Sequence, residues 1–136
     1  FIINDRVDIA LAVDADGVHV GQSDLPVSVA RKLLGPGKIV GATAKTVAQA
    51  LEAQSQGADY LGTGAIFPTQ TKAAAIPTSV GTLSEVCRAV NIPVVAIGGL
   101  KQDNSRPGTS RTGASLFYED FSIMIQRITI GGLPRF

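Results

Sequence analysis

Hydrophobic and polar positions follow two rhythms along the chain. Short apolar runs at Phe1–Ile3, Gly17–Val20, Lys38–Gly41, Tyr60–Gly62 and Val94–Ile97 predict strands. Between them, apolar residues recur at helical spacing. Pro26–Leu34 places Val29, Ala30, Leu33 and Leu34 on one face and stops at Gly35-Pro36. Thr46 and Gln49 form a capping box ahead of Val47, Ala50 and Leu51, with Gly57 as the stop. Thr82 and Glu85 repeat the device before Leu83, Val86, Cys87 and Val90, and Asn91 and Pro93 end that helix.

Strands and helices alternating at this spacing make βα units, hence an α/β fold with a parallel sheet. The continuous run Pro93-Val94-Val95-Ala96-Ile97 suits a strand buried on both faces. Five strands do not close an eight-stranded barrel, which takes about 250 residues. The pattern alone therefore leaves an open sheet or part of a barrel. The character changes after Asn104. Ser105–Ser115 is rich in Ser, Thr, Gly, Pro and Arg and reads as a flexible linker. Leu116–Ile130 alternates at Ile123, Ile125, Ile128 and Ile130 and fits a helix or a strand alike. The chain is thus divided into a βα part, residues 1–104, and a divergent basic tail, residues 105–136.

Composition narrows the class. The 136 residues suit about one domain, and 45% hydrophobic with 17% charged residues argues against disorder. Aromatics are 5% with no Trp, and the net charge is +1, so no nucleic-acid partner is expected. A lone cysteine, Cys87, excludes a disulfide within the chain and a cysteine-based zinc site. The longest apolar run, near Ile92–Leu100, is far shorter than the roughly 20 residues that span a bilayer. No membrane partner is expected. The chain begins at Phe1 inside a strand-like run, without a signal peptide, and reads as a fragment.

Chemistry in a parallel βα sheet collects where strands end and loops begin. The first strand runs into Asn4-Asp5-Arg6 and the second into Gly21-Gln22-Ser23-Asp24. Asp5 and Asp24 suit a Mg²⁺–phosphate site, because Mg²⁺ takes one or two carboxylates plus water and phosphate oxygens. The plainer reading makes Asp24 a helix cap and Asp5 a turn residue. Thr43, past the third strand, offers a hydroxyl to a phosphate or to its own backbone. The fourth strand leads into a long Gly- and Thr-rich stretch ending in Thr69-Gln70-Thr71-Lys72, with no further helix before Gly81. Loops of that length are often binding loops, and Lys72 supplies a cation. Gly98-Gly99, after the fifth strand, permits close backbone approach to a ligand or simply a tight turn. His19, between Val18 and Val20, reads as structural rather than as a base.

Taken in order, four motifs resemble the thiamine-phosphate synthase family. They are INDRVDIAL at Ile3–Leu11, ADGVHVGQSDLP at Ala15–Pro26, GADYLGTGAIFPTQTK at Gly57–Lys72 and IPVVAIGGL at Ile92–Leu100. The resemblance covers about residues 1–104 and implies a partial (β/α)8 TIM barrel of about five βα units, followed by an unrelated C-terminal tail. It also implies a transferase that joins hydroxymethylpyrimidine diphosphate to a thiazole phosphate and releases pyrophosphate. In that reading Asp5 and Asp24 hold Mg²⁺. Asn4, Thr43 and Lys72 meet the pyrimidine diphosphate and act as the catalytic set. Thr69, Gln70, Thr71 and Gly99 surround the thiazole phosphate. Family members usually carry Ser where Thr43 stands, and the hydroxyl is kept. The Thr69–Lys72 pattern argues against the related thiazole tautomerases, which stay an alternative together with a non-catalytic fragment. The family's Gln-x-Arg-x-Lys motif and its Val-Ser phosphate loop are not found, so the isolated chain is expected to turn over little. Fusion to, or association with, a hydroxymethylpyrimidine kinase and a cytoplasmic or plastid location complete the expectations.

Overall fold

The computed structural model describes residues 1–67, residues 78–100 and a short strand at 115–116. The elements are β1 (Ile2–Asn4), α1 (Val7–Ala12), β2 (Gly17–Val20), α2 (Val27–Leu34), β3 (Ile39–Thr43), α3 (Val47–Ser55), β4 (Tyr60–Gly64), α4 (Val80–Ala89), β5 (Val94–Ile97) and β6 (Ser115–Leu116). All pairings are parallel, and the strands lie in sequence order from β1 to β6. Sequential parallel order has no reversal point of the kind that defines a doubly wound sheet. It is the order of a βα barrel wall, here a partial one.

The two faces of the sheet have different jobs. Val18, Val20, Val40, Ala42, Leu61, Val94 and Ala96 share one face and pack with Val7, Ala10, Ala30, Ala50, Ala53, Leu83 and Val86 of the helices. The strand register sets the opposite face. Asn4, His19 and Gly41 lie in one row, Gly41 is opposite Tyr60, Thr43 is opposite Gly62, and Gly64 is opposite Ile97. The helix-side layer, apolar except for Thr63, closes the core. The inner layer carries the polar side chains.

Several local expectations are corrected. The buried face of α2 is Val27, Ala30 and Leu34, while Val29 and Leu33 are exposed. In α3 it is Ala50 and Ala53, with Leu51 exposed. In α2 the buried stripe runs at i, i+3 and i+7 through Val27, Ala30 and Leu34, which leaves Val29 and Leu33 off the buried face, and in α3 the small Ala50 and Ala53 are buried while Leu51 turns outward. Helix α1 was not expected from the pattern. Its run Ile9-Ala10-Leu11-Ala12-Val13 is apolar all round, so it shows no helical stripe, and only Val7 and Ala10 are buried. Helix α4 starts earlier than Thr82: Ser79 is its cap, accepting from the Thr82 amide at 3.0 Å. Gly81 therefore lies inside the helix. The box at Thr46 is confirmed in one direction, with Gln49 N–H donating to Thr46 Oγ1 at 3.2 Å. The Gln49 side chain reaches one residue further back than expected, to the Lys45 amide at 2.8 Å.

β6 belongs to the stretch after Asn104 and adds to the sheet beside β5, with Val95 opposite Ser115. The linker reading thus fails at its last residue, which is a strand residue. The rest of that stretch, with Ile123, Ile125, Ile128 and Ile130, lies outside the described residues. Among the described residues no helix is long and apolar enough to cross a membrane. Cys87 is half-buried on α4, where burial pushes its thiol up from its ordinary value. It packs against the core, as its helical position suggested.

Candidate functional site

Parallel strands bring all their C-terminal ends to one rim, and the rim here is built residue by residue. At the end of β1, Asn4 stands in register with His19 on the inner face. Asp5 follows with φ 63°, a left-handed conformation that Asp tolerates better than most residues. Its amide donates to the His19 carbonyl at 2.8 Å, which extends the β1–β2 ladder by one bond and fixes the Asp5 backbone. At the end of β2, the Gly21 amide donates to Asp24 Oδ2 at 2.7 Å. Asp24 is therefore a turn-closing residue with one carboxylate oxygen engaged, and Oδ1 is the oxygen left for another ligand. Gln22 Nε2 crosses to the Thr43 carbonyl at 2.5 Å and ties the β2 loop to the end of β3.

Thr43 ends β3 on the inner face. Its Oγ1 is 3.0 Å from His19 Nε2, and His19 Nδ1 is 3.0 Å from the Tyr60 hydroxyl. Tyr60 is 1% exposed, and burial pushes its phenol above the ordinary value, so it stays protonated. The sequence identified Thr43 but not its supports. Their signal was present in the strand register: Gly41 sits opposite Tyr60 and leaves the space that the ring fills.

The far side of the rim is the junction of β4 and β5. The amides of Ile66 and Phe67 donate to the carbonyls of Ile97 and Gly98, each at 3.1 Å. Gly99 has φ +66°, and a Cβ there would lie 2.6 Å from the Phe67 carbonyl oxygen. Only glycine fits that conformation and that contact. Beyond residues 68–77, Thr78 is tied back to the same place, its amide donating to the Ala65 carbonyl at 2.7 Å. Both stems of the Thr-rich stretch are thus anchored at the rim. Thr69, Gln70, Thr71 and Lys72 themselves lie outside the described residues. Of the expected site residues, Asn4, Asp5, Asp24, Thr43 and Gly99 follow the ends of β1, β2, β3 and β5 at this one rim. A cavity lined by Asp24 with Val20, Ala42, Gln49, Ala53 and Gln56 opens on the helix side of the sheet and is not the inner mouth.

This arrangement defines a partial βα barrel with polar side chains gathered at the strand ends, the usual seat of ligand binding in such barrels. The family model described as thiamine monophosphate synthase matches residues 1–116. A thiamine-phosphate synthase of Enterococcus faecalis is 61% identical over 138 residues, covering 98% of this chain and 64% of that protein. The Arabidopsis thaliana protein named thiamine biosynthetic bifunctional enzyme TH1, chloroplastic, is 58% identical over 104 residues, 76% of this chain and 20% of that protein. The solved thiamine phosphate pyrophosphorylase from Pyrococcus furiosus superposes with a TM-score of 0.75 at 46% identity, covering 85% of this chain and 55% of that one. The chain belongs to the thiamine monophosphate synthase family. It spans roughly half to two-thirds of the length of the first relatives it matches.

Proposed function

We propose that the rim binds a diphosphate, with Mg²⁺, and a second phosphate ester, as the pyrimidine and thiazole halves of a thiamine-phosphate synthase site. The single observation that supports this best is the placement of Asp5 and Asp24 just past the ends of neighbouring parallel strands, with Thr43 closing the next one. The donor set fits Mg²⁺. Among the described residues no cluster of three or more His, Cys, Asp or Glu side chains could hold a metal. Two carboxylates suit a cation that keeps several waters and takes phosphate oxygens for the rest. Bound there, Mg²⁺ would neutralise charge growing on the leaving diphosphate.

The chain's own groups divide the remaining work. Asn4 and the Thr43 hydroxyl donate to the diphosphate, and Lys72 adds a positive charge. Thr69, Gln70, Thr71 and Gly99 surround the thiazole phosphate. With both substrates held, the thiazole nitrogen places its lone pair on the pyrimidine methylene carbon. The carbon–oxygen bond breaks, and its electron pair leaves with pyrophosphate. No side chain need take a proton in this exchange. Positioning and electrostatic stabilisation are the whole contribution of the protein.

The fusion or association with a hydroxymethylpyrimidine kinase belongs to the same proposal. It is supported by the word bifunctional in the name of the Arabidopsis relative, and a plastid location by that relative's chloroplastic label. The division of the chain into residues 1–104 and a divergent tail, residues 105–136, belongs to the same proposal.

Calorimetric titration tests the reading. The 136-residue chain is expected to take up pyrophosphate only when Mg²⁺ is present. Asp24→Asn should weaken that uptake by about 10–100-fold, the loss of one charge-assisted contact. Binding of pyrophosphate that ignores both Mg²⁺ and Asp24 would overturn the assignment. Thiamine phosphate formation by this chain at the rate of a full-length relative would overturn the expectation that it turns over little.

A further inference from the structure

The inner face holds a chain of three side chains, of which Tyr60 and His19 have no role in the reaction above. Tyr60, His19 and Thr43 come from three adjacent strands, and each ring nitrogen of His19 has one hydroxyl partner at 3.0 Å. The directions of these bonds follow from satisfying protons. The Tyr60 hydroxyl is buried, and among the described residues its hydrogen-bond partner is His19 Nδ1. If Nδ1 carried the proton and donated, the phenolic proton would be left buried without an acceptor. If the phenol donates, only a lone pair is left over, which costs less. Nδ1 is then the acceptor, and a neutral imidazole must carry its proton on Nε2. That proton points at Thr43 Oγ1. A hydroxyl that accepts from Nε2–H has its own proton left to donate.

We propose that Tyr60 and His19 are positioning residues that fix Thr43 as a hydrogen-bond donor toward a phosphate oxygen at the rim. The inference rests on the diphosphate reading for the identity of the acceptor, while the order of donors from Tyr60 to Thr43 stands on the network alone. With the opposite tautomer, Nε2 would accept the Thr43 proton and turn two oxygen lone pairs toward an anion. The network therefore selects a donor over an acceptor at a point where an anion is to be held. It also suits the single-sided polarity of the inner face. Gly41 and Gly62 provide the space: a Cβ at Gly62 would lie 3.0 Å from His19 Cε1, and one at Gly41 2.4 Å from the Tyr60 hydroxyl oxygen.

The chain has one histidine, so its imidazole can be read without assignment ambiguity. The experiment is a long-range proton–nitrogen spectrum of the ¹⁵N-histidine-labelled chain, recorded about two pH units above the ordinary histidine value so that the ring is neutral. The expected spectrum is that of the Nε2–H form, and Tyr60→Phe is expected to convert it to a mixture of both forms. An Nδ1–H form in the unsubstituted chain, or an unchanged spectrum in Tyr60→Phe, would overturn the proposal. A second arm titrates pyrophosphate with Mg²⁺. His19→Gln keeps an amide N–H near the place of Nε2 and should bind within about threefold of the unsubstituted chain. His19→Asn places its amide near Nδ1, cannot reach Thr43, and should bind about tenfold more weakly, one neutral hydrogen bond. Equal weakening of the two variants would contradict positioning through Nε2. Absence of pyrophosphate binding by the unsubstituted chain would count against the diphosphate reading, and the spectrum would still decide the order of donors.

Discussion

Tyr60 fills the space in front of Gly41 across the β3–β4 pair, so closely that a Cβ on Gly41 would lie 2.2 Å from the ring's Cζ. The contact is with a side chain that is itself 1% exposed and has no open direction in which to retreat. Gly41→Ala is therefore expected to destabilise the fold by about 1–3 kcal/mol, the range for overpacking a core. Denaturant unfolding measures it. A neutral substitution would mean that the ring can move aside, and the His19 network with it.

Thr63 gives a prediction of opposite sign. It is 0% exposed on the helix face of β4, and among the described residues its hydroxyl has no hydrogen-bond partner. Thr63→Val keeps the shape and removes the stranded polar group. It should raise stability by about 1 kcal/mol, the low end of the cost of an unsatisfied buried group. Thermal unfolding of the two chains side by side tests this, and a loss of stability would reveal a partner for the hydroxyl.

The opposite rim of the sheet is held by one arginine. Arg31 on α2 donates to the carbonyls of Gly57 at 2.9 Å, Lys38 at 2.6 Å and Gly35 at 3.1 Å, and pairs with Asp59. Asp59 in turn accepts from the Val40 amide at 2.7 Å. These residues precede β3 and β4, the end of a barrel where conserved structure serves stability rather than ligands. Arg31→Ala should cost about 2–3 kcal/mol through its charge-assisted bonds. Affinity for Mg²⁺-pyrophosphate in the folded fraction should not change. A drop in that affinity would show that the two rims are coupled.

Asp5 separates backbone strain from ligand chemistry. Its φ of 63° favours Gly over Ala. Asp5→Gly should hold or slightly raise stability, and Asp5→Ala should lower it by about 1 kcal/mol. Both should lose Mg²⁺-dependent pyrophosphate binding alike. A stability order reversed between Gly and Ala would remove the conformational argument, and retained binding in either would remove Asp5 from the metal.

The strands were readable because a parallel sheet buries both faces, so Val94–Ile97 and Gly17–Val20 stand out as apolar runs whatever surrounds them. Strand ends in such a sheet point one way, so topology alone places the ends of β1, β2 and β3, with Asn4, Asp5, Asp24 and Thr43, on one rim. Helix faces were harder. Val29 and Leu33 have the composition of core, but the buried stripe of α2 runs through Val27, Ala30 and Leu34, one helical phase away. The cap of α4 was misplaced because Ser79 and Thr82 both have the right chemistry, and only the backbone path decides between them. The His19 network was missed because it joins three strands. A residue at position 19 meets partners at 43 and 60 only once the register is known.

The proposal that Asp5 and Asp24 share one divalent cation at the strand ends has a direct test. Crystals of the chain grown with Mn²⁺, standing in for Mg²⁺, and pyrophosphate measure this directly through the metal's anomalous scattering. The expected result is one strong peak about 2.0–2.3 Å from a carboxylate oxygen of each aspartate, with pyrophosphate and water oxygens around it. A metal bound with its diphosphate away from both aspartates would contradict it.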